Sequence, residues 1–266
     1  MQLESLRDIF FENVPPTDKS FTKHFHETYT VGVTHDGVFK SNVLGVIDYS
    51  YGRSTRIINP REVHGGDSQG WHYTNFYPTV ELMSEIYGQI FGERRIPFFE
   101  DHIIEDERLY GLLVGLFSTV YHDEEAIVIE TRLIEALSYL IRHHTHTTQK
   151  IDRPLYDTAV IKQSVEMIHD LLESNLSLEM LAGNAGMSKY HFLRLFKHHT
   201  GITPHHYILT QRIHRATQHI ISGVSIAEAS ITAGFSDQSH FTRQFKRVYG
   251  YTPNHLIKSS NIILYK

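Results

Sequence analysis

The chain repeats itself toward its C-terminal end. HFLRLFKHHTGITPHHYI (191–208) aligns without gaps on HFTRQFKRVYGYTPNHLI (240–257) at an offset of 49 residues, and ten of the 18 positions are identical. The preceding LEMLAGNAGMS (178–188) matches IAEASITAGFS (226–236) at an offset of 48. One extra residue therefore enters the second copy just after its serine. Each copy reads as helix, glycine-containing turn, helix, the layout of a helix-turn-helix. Two copies are too few for a solenoid, which needs about three units to bury its faces.

The punctuation around the repeat fits that reading. Ser188 and Ser236 follow glycine-containing turns and are expected to cap the helices that come after them. Thr203-Pro204 and Thr252-Pro253 pair a cap with proline at the first helical position. Gly201 and Gly250 stand where a helix end wants a left-handed residue. The pattern predicts helices near 157–174, 178–185, 188–199, 204–222, 226–233 and 237–248, with a short last one from about 253.

Helical phase then separates packing from contact. Phe192, Leu195, Phe196 and His199 share one face, and Tyr190, Leu193, Arg194 and Lys197 lie opposite. In the second copy Phe241, Phe245 and Val248 face inward, with Ser239, Thr242, Arg243 and Lys246 outward. An arginine recurs at the same place in both outward faces, each with a lysine beside it. Arginine can bond guanine O6 and N7 with two N–H groups, and lysine can hold a phosphate. Two such helices joined by the helix 204–222 could enter successive major-groove segments roughly 34 Å apart. His191 and His240 are assigned backbone or cap roles.

Charge supports this division. The chain carries −5 overall, but residues 1–153 hold 14 Lys and Arg against 23 Asp and Glu, and residues 154–266 hold 11 against 7. A basic half beside an acidic one points to nucleic acid in the basic half. No apolar stretch approaches the ~20 residues of a membrane span, so no membrane partner is expected. The first residues lack a basic segment followed by an apolar run, and no signal peptide is expected. With no cysteine there is neither a disulfide nor a thiolate metal site, which suits a cytoplasmic protein.

The other half reads differently. Residues ~20–78 hold short runs such as TYTVGVT, SNVLGVIDYS and TRIINP between turn signals, which suggests a sandwich or small barrel. From Pro78 the pattern becomes helical: Leu82, Ile86 and Ile90 step by four, a second segment covers 104–118, and a third covers 123–142. The third places Ile127, Ile134, Leu137 and Ile141 near one face, long enough for a dimerisation surface as well as for packing. HHTHTTQKIDRP (143–154) is polar and without period, a linker by composition; His143, His144 and His146 are read as part of it.

His24, His26 and His64 raise the question of a metal, because His-x-His on a strand points both rings to one face. Metal-binding cupins usually add a glutamate a few residues later. Here Glu27 follows at once and faces the other way, and Pro60 precedes His64 with no glycine between them. No metal and no cofactor are therefore expected. These histidines, with Trp71 and Tyr73, are instead read as lining a pocket for a small polar effector; half-buried structural histidines and a core tryptophan are the plainer alternative.

The segment from Leu178 to Ile257, above all SKYHFLRLFKHHTGITPHHY and ITAGFSDQSHFTRQFKRVYGYTP, resembles the DNA-binding domain of the AraC/XylS family of transcription regulators. HFHETYTVGVTHDG (24–37), INPREVHGGD (58–67) and GWHYTNFYP (70–78) are similar to the cupin-like sensor domain of that family. The resemblance implies an α+β chain: a cupin-like β-barrel with flanking helices for effector sensing and dimerisation (1–142), the linker (143–154), and an all-α double helix-turn-helix domain (155–266). It implies base reading by Tyr190, Leu193 and Arg194, and by Gln238, Ser239, Thr242 and Arg243, with Lys189, Lys197 and Lys246 on phosphates. Leu193 would meet a thymine methyl. Ala229 and Ser230 stand where the family more often has Ile and Ala, so a less apolar second core is expected. The implied partners are double-stranded DNA, a small-molecule effector, a second copy of the chain and RNA polymerase, in the cytoplasm and at the nucleoid when bound. No catalytic role is expected; a metal-dependent cupin enzyme and a constitutive DNA-binding regulator are the alternatives.

Overall fold

A computed structural model describes residues 9–122, 126–149, 159–174 and 176–259. The chain forms two compact units that divide, in the main, between Asp152 and Arg153.

The first unit is built on a long antiparallel hairpin-like pair. Strand β3 (Thr30–Val43) runs against β6 (His64–Phe76) from Val31–Phe76 to Val43–His64. On the outer edge of β3 lie β4 (Val46–Tyr51) and β5 (Thr55–Ile58), and β6 carries β1 (Phe11–Thr17), which β2 (Ser20–His24) follows in the chain. The order along the main path is β1-β6-β3-β5-β8, ending in the two-residue β8 (Ile103–Ile104). Register shifts between Thr34 and Val38 bend the pair, so each half carries different neighbours.

The expected barrel is not formed. Among the described residues no pairing joins β1 to β8, and the sheet stays open. Helices cover one face instead. Phe11, Val31, Val33, Ile57 and Phe76 pack against α1 (Val80–Phe91), α2 (Glu107–Tyr121) and α3 (Ala126–His144) through Leu82, Leu113, Phe117, Leu137 and Leu140, all buried. With that face buried by helices, closure is not needed to desolvate it.

Two expectations about the helices need correction. The buried stripe of α3 is Ile129, Leu133, Ala136, Leu137, Leu140 and Ile141; Ile127 is 63% exposed and lies off it. Of the expected linker 143–154, His143 and His144 complete α3, and β9 (Thr147–Gln149) pairs with β7 (Ile96–Phe98). His144 also bonds the Asp106 carboxylate at 2.9 Å, and His146 lies 3.4 Å from Asp101. Residues 150–154 fall outside the described residues.

The second unit takes in Phe21–Phe25 and, from Ala159 onward, is helical among its described residues apart from turns and connections: α4 (Ala159–Asp170), α5 (Leu178–Asn184), α6 (Lys189–Thr200), α7 (Pro204–Ile221), α8 (Ile226–Thr232), α9 (Gln238–Tyr249) and α10 (Pro253–Ser259). The duplication is carried into length. Helices α5 and α8 have seven residues each, and α6 and α9 have twelve. The linking helix α7 is tied down by Arg212, which donates to the carbonyls of Leu172 (2.9 Å) and Ser174 (2.7 Å), and by the Arg215–Glu173 pair at 2.9 Å.

Candidate nucleic-acid interface and effector site

Each candidate reading helix is fixed at both ends and along one side. Ser188 caps α6 as expected, its hydroxyl accepting from His191 N. The cap of α9 is Asp237, not Ser236: its carboxylate accepts from His240 N at 2.7 Å. The residue inserted after the serine in the second copy is thus itself the cap. Ser236 instead donates to Asp237 Oδ2 at 3.2 Å. The bond from His240 N, with further donors behind it, holds the Asp237 carboxyl below its usual range. Gly201 and Gly250 end the two helices at φ of 77° and 79°, a region that favours glycine.

The phenylalanines of the inward faces are as phased. Phe192, Phe196, Phe241 and Phe245 are fully buried, and Val248 is buried with them. Outward, Lys189, Arg194 and Lys197 on α6 and Gln238, Ser239, Arg243 and Lys246 on α9 are exposed, with Leu193 and Thr242 half-buried. The side chain of Tyr190 lies outside the described residues. Leu195 and His199, expected inside, are not buried with the phenylalanines. Ala229 and Ser230 are both buried, and the Ser230 hydroxyl donates to Ala227 O at 2.7 Å, so this polar substitution in the second core is satisfied locally.

The residues expected around an effector are all buried. Within the first unit the rings of His26 and His64 lie 5.2 Å apart, whereas His24 falls in the segment Phe21–Phe25, which belongs to the second unit. The Nδ1 atoms of His24 and His64 lie 2.7 and 2.9 Å from the carbonyls of Thr22 and Glu62. Trp71 stacks between Phe39 (4.1 Å) and Tyr73 (3.8 Å) and donates its indole N–H to Thr34 Oγ1 at 3.0 Å. This aromatic ladder lies on the opposite side of the sheet from the helix-packed core: Trp71 and Tyr73 alternate with Phe76 along β6.

Sequence reasoning missed two charged members of the same face. Arg56 on β5 lies over the rings of Phe39 and Trp71 at 5.0 and 5.1 Å. Burial lowers its pKa, partly offset by Tyr73, Tyr77 and Glu12. The buried carboxylate of Glu12 accepts from Asn75 Nδ2 at 2.8 Å and from the Tyr77 hydroxyl at 2.6 Å. Burial, then the Glu12 charge, pushes the Tyr73 hydroxyl well above its ordinary pKa, so it stays a neutral donor. The available signal was a charge inside the otherwise apolar run TRII, and β-alternation puts it on the face opposite Ile57.

Known proteins agree with both halves. Residues 8–137 match the AraC-like ligand binding domain family, and residues 181–259 match a helix-turn-helix domain family. The chain is 30% identical over 231 residues to the uncharacterized HTH-type transcriptional regulator YbfI of Bacillus subtilis, covering 83% of this chain and 81% of that one. Its fold is that of ToxT from Vibrio cholerae: the apo structure of a ToxT point variant superposes with a TM-score of 0.64 at 12% identity, over 94% of this chain and 96% of ToxT. A ToxT structure described as bound to an unsaturated fatty acid gives a TM-score of 0.56 at 13% identity, over 94% of each chain. The Bacillus subtilis relative is a transcriptional regulator by name and the matched C-terminal family is a helix-turn-helix domain, so the enzyme alternative is set aside. The chain belongs to the AraC-type family of DNA-binding transcription regulators, with an N-terminal ligand-binding domain and a C-terminal helix-turn-helix region.

Proposed function

We propose that this regulator reads an asymmetric DNA site with α6 and α9, and that a small molecule held in the first unit tunes that reading. Tyr190, Leu193 and Arg194 contact bases from the first helix; Gln238, Ser239, Thr242 and Arg243 do so from the second. Lys189, Lys197 and Lys246 hold phosphates. The observation that carries the reading is the pair of equal-length, capped helices with buried phenylalanines on one side and an exposed arginine at the same place on the other. Because the remaining outward residues differ, the two helices read different bases. Selection from random duplex DNA should recover a defined site. Arg194→Ala and Arg243→Ala should each weaken that site by about 1–3 kcal/mol and relax preference at a different base pair. Recovery of no enriched sequence would sink the reading.

The ligand half rests on the buried aromatic and polar face of the sheet, with His26, His64, Trp71 and Tyr73 as its lining; His24, expected beside them, falls in the second unit. The fatty acid in ToxT is a precedent for a small ligand in this fold. A ligand acts only through a difference in affinity between two states of the protein. A thermal-shift screen against sugars, amino acids and aromatic acids should yield a compound that raises the melting temperature by mass action; a constitutive regulator would yield none. The working form is a homodimer in the cytoplasm, at the nucleoid when DNA-bound, in contact with RNA polymerase. Exposed Ile127 and Val128 on α3 are the apolar residues available for self-association.

A further inference from the structure

We propose that Arg56 is the anchor for a carboxylate group on the effector, so that this regulator responds to a small organic acid with an apolar body. The inference rests on the reading of the first unit as an effector domain and names the chemistry it selects.

Four positions form one row across the sheet. Glu12 pairs with Asn75, Asn75 with Gly32, and Gly32 with Arg56. At one end the Glu12 carboxylate is satisfied by Asn75 and Tyr77. Gly32 puts no side chain of its own in the middle, and the Asn75 amide that bonds Glu12 lies over it. At the other end stands Arg56, only 6% exposed, whose Nε is buried and meets no acceptor among the described residues. Its guanidinium lies instead over the faces of Phe39 and Trp71. A guanidinium carries five donors and keeps its charge, so burying it without an acceptor costs stability that a bound anion would return. The planar fork matches a carboxylate with two parallel bonds, better than it matches a hydroxyl or an amide. The stacked rings beside it offer an apolar wall to the rest of such an acid. Glu12, already on the same face, disfavours a second negative charge and selects a monoacid.

Trp71 is the chain's single tryptophan and lies against Arg56, so its emission reports on this site alone. The test titrates full-length protein with 4-phenylbutyrate and decanoate, and with 4-phenylbutyramide and decanamide as uncharged counterparts. At least one acid should change Trp71 emission saturably, its amide needing at least about ten-fold more. Arg56→Met, similar in length and uncharged, should lose the acid response by about ten-fold or more while its melting temperature stays level or rises. Arg56→Lys should fall between. The acid–amide comparison needs no variant, so it decides even if Arg56→Met misfolds. Acid binding by folded Arg56→Met within two-fold of the unchanged protein overturns the assignment. So does silence from both acids. A response to the amides alone overturns the carboxylate while leaving the effector reading standing.

Discussion

At Gly32 the sheet has room for a hydrogen atom and nothing larger. A methyl there would lie 1.9 Å from Asn75 Oδ1 and 2.8 Å from Thr74 O. Asn75 cannot swing aside cheaply, because its amide donates to Glu12. Gly32→Ala should therefore destabilise the first unit by about 1–3 kcal/mol, the usual cost of overpacking, read as a fall in its unfolding midpoint; an unchanged midpoint would show that Asn75 gives way. The glycine is plain in the sequence, but the reason for it is not, since Asn75 lies 43 positions away in the chain. The same limit applies to Arg56. Trp71 and Tyr73 stood out by residue type, whereas the arginine that meets Trp71 needed the register of a third strand. Asp237 failed differently. The inserted residue was visible, yet a serine in the aligned place outweighed an aspartate one step on, although either can cap.

At the scale of elements, strong local signals were legible and edge features were not. Helices α6 and α9 follow from phenylalanine spacing and terminal glycines. Strand β1 was missed because FENVPPT contains two prolines; they are tolerated because β1 is off the sheet's centre and its register shifts between Val14 and Thr17. The end of α3 was missed because His143 and His144 looked like solvated linker. Asp106 explains their order. Its carboxylate caps α2 through Arg108 N (2.9 Å) and Leu109 N (3.0 Å), and it also accepts from Tyr139 (3.1 Å) and His144 (2.9 Å) on α3. Burial works against its charge, but the bonds from Leu109, His144, Tyr139 and Arg108 outweigh it and hold the pKa below the ordinary value. A lowered folded pKa means the contribution is present at neutral pH and is lost as pH falls below about 4. Asp106→Ala should cost about 1–2 kcal/mol at pH 7, the loss of a helix cap and its side-chain partners. The difference from the unchanged protein should shrink as the pH is lowered through that window. A gap that persists at acid pH would assign the effect to packing rather than to the charge.

For the whole molecule, the uneven charge is the property that reaches furthest. A chain of net −5 binding a polyanion needs its cations concentrated, and residues 154–266 hold 11 Lys and Arg against 7 Asp and Glu. Lys189, Lys197 and Lys246 are all exposed on the two candidate reading helices. Lys189 lies 3.6 Å from Glu179, but a pair so exposed is worth little and does not hold the lysine back from a phosphate. Each phosphate neutralised releases counterions and steepens the dependence of log K on log salt by about 0.9. Lys197→Ala and Lys246→Ala should each therefore lower that slope by about 1, and weaken specific and random DNA by the same factor. Arg194→Ala and Arg243→Ala should do the reverse, changing which base is preferred more than they change binding to random DNA. Fluorescence anisotropy across a salt series, on the selected site and on a scrambled one, separates the two behaviours. If a lysine variant altered base preference while leaving the slope alone, the division of roles between lysine and arginine on these helices would have to be exchanged.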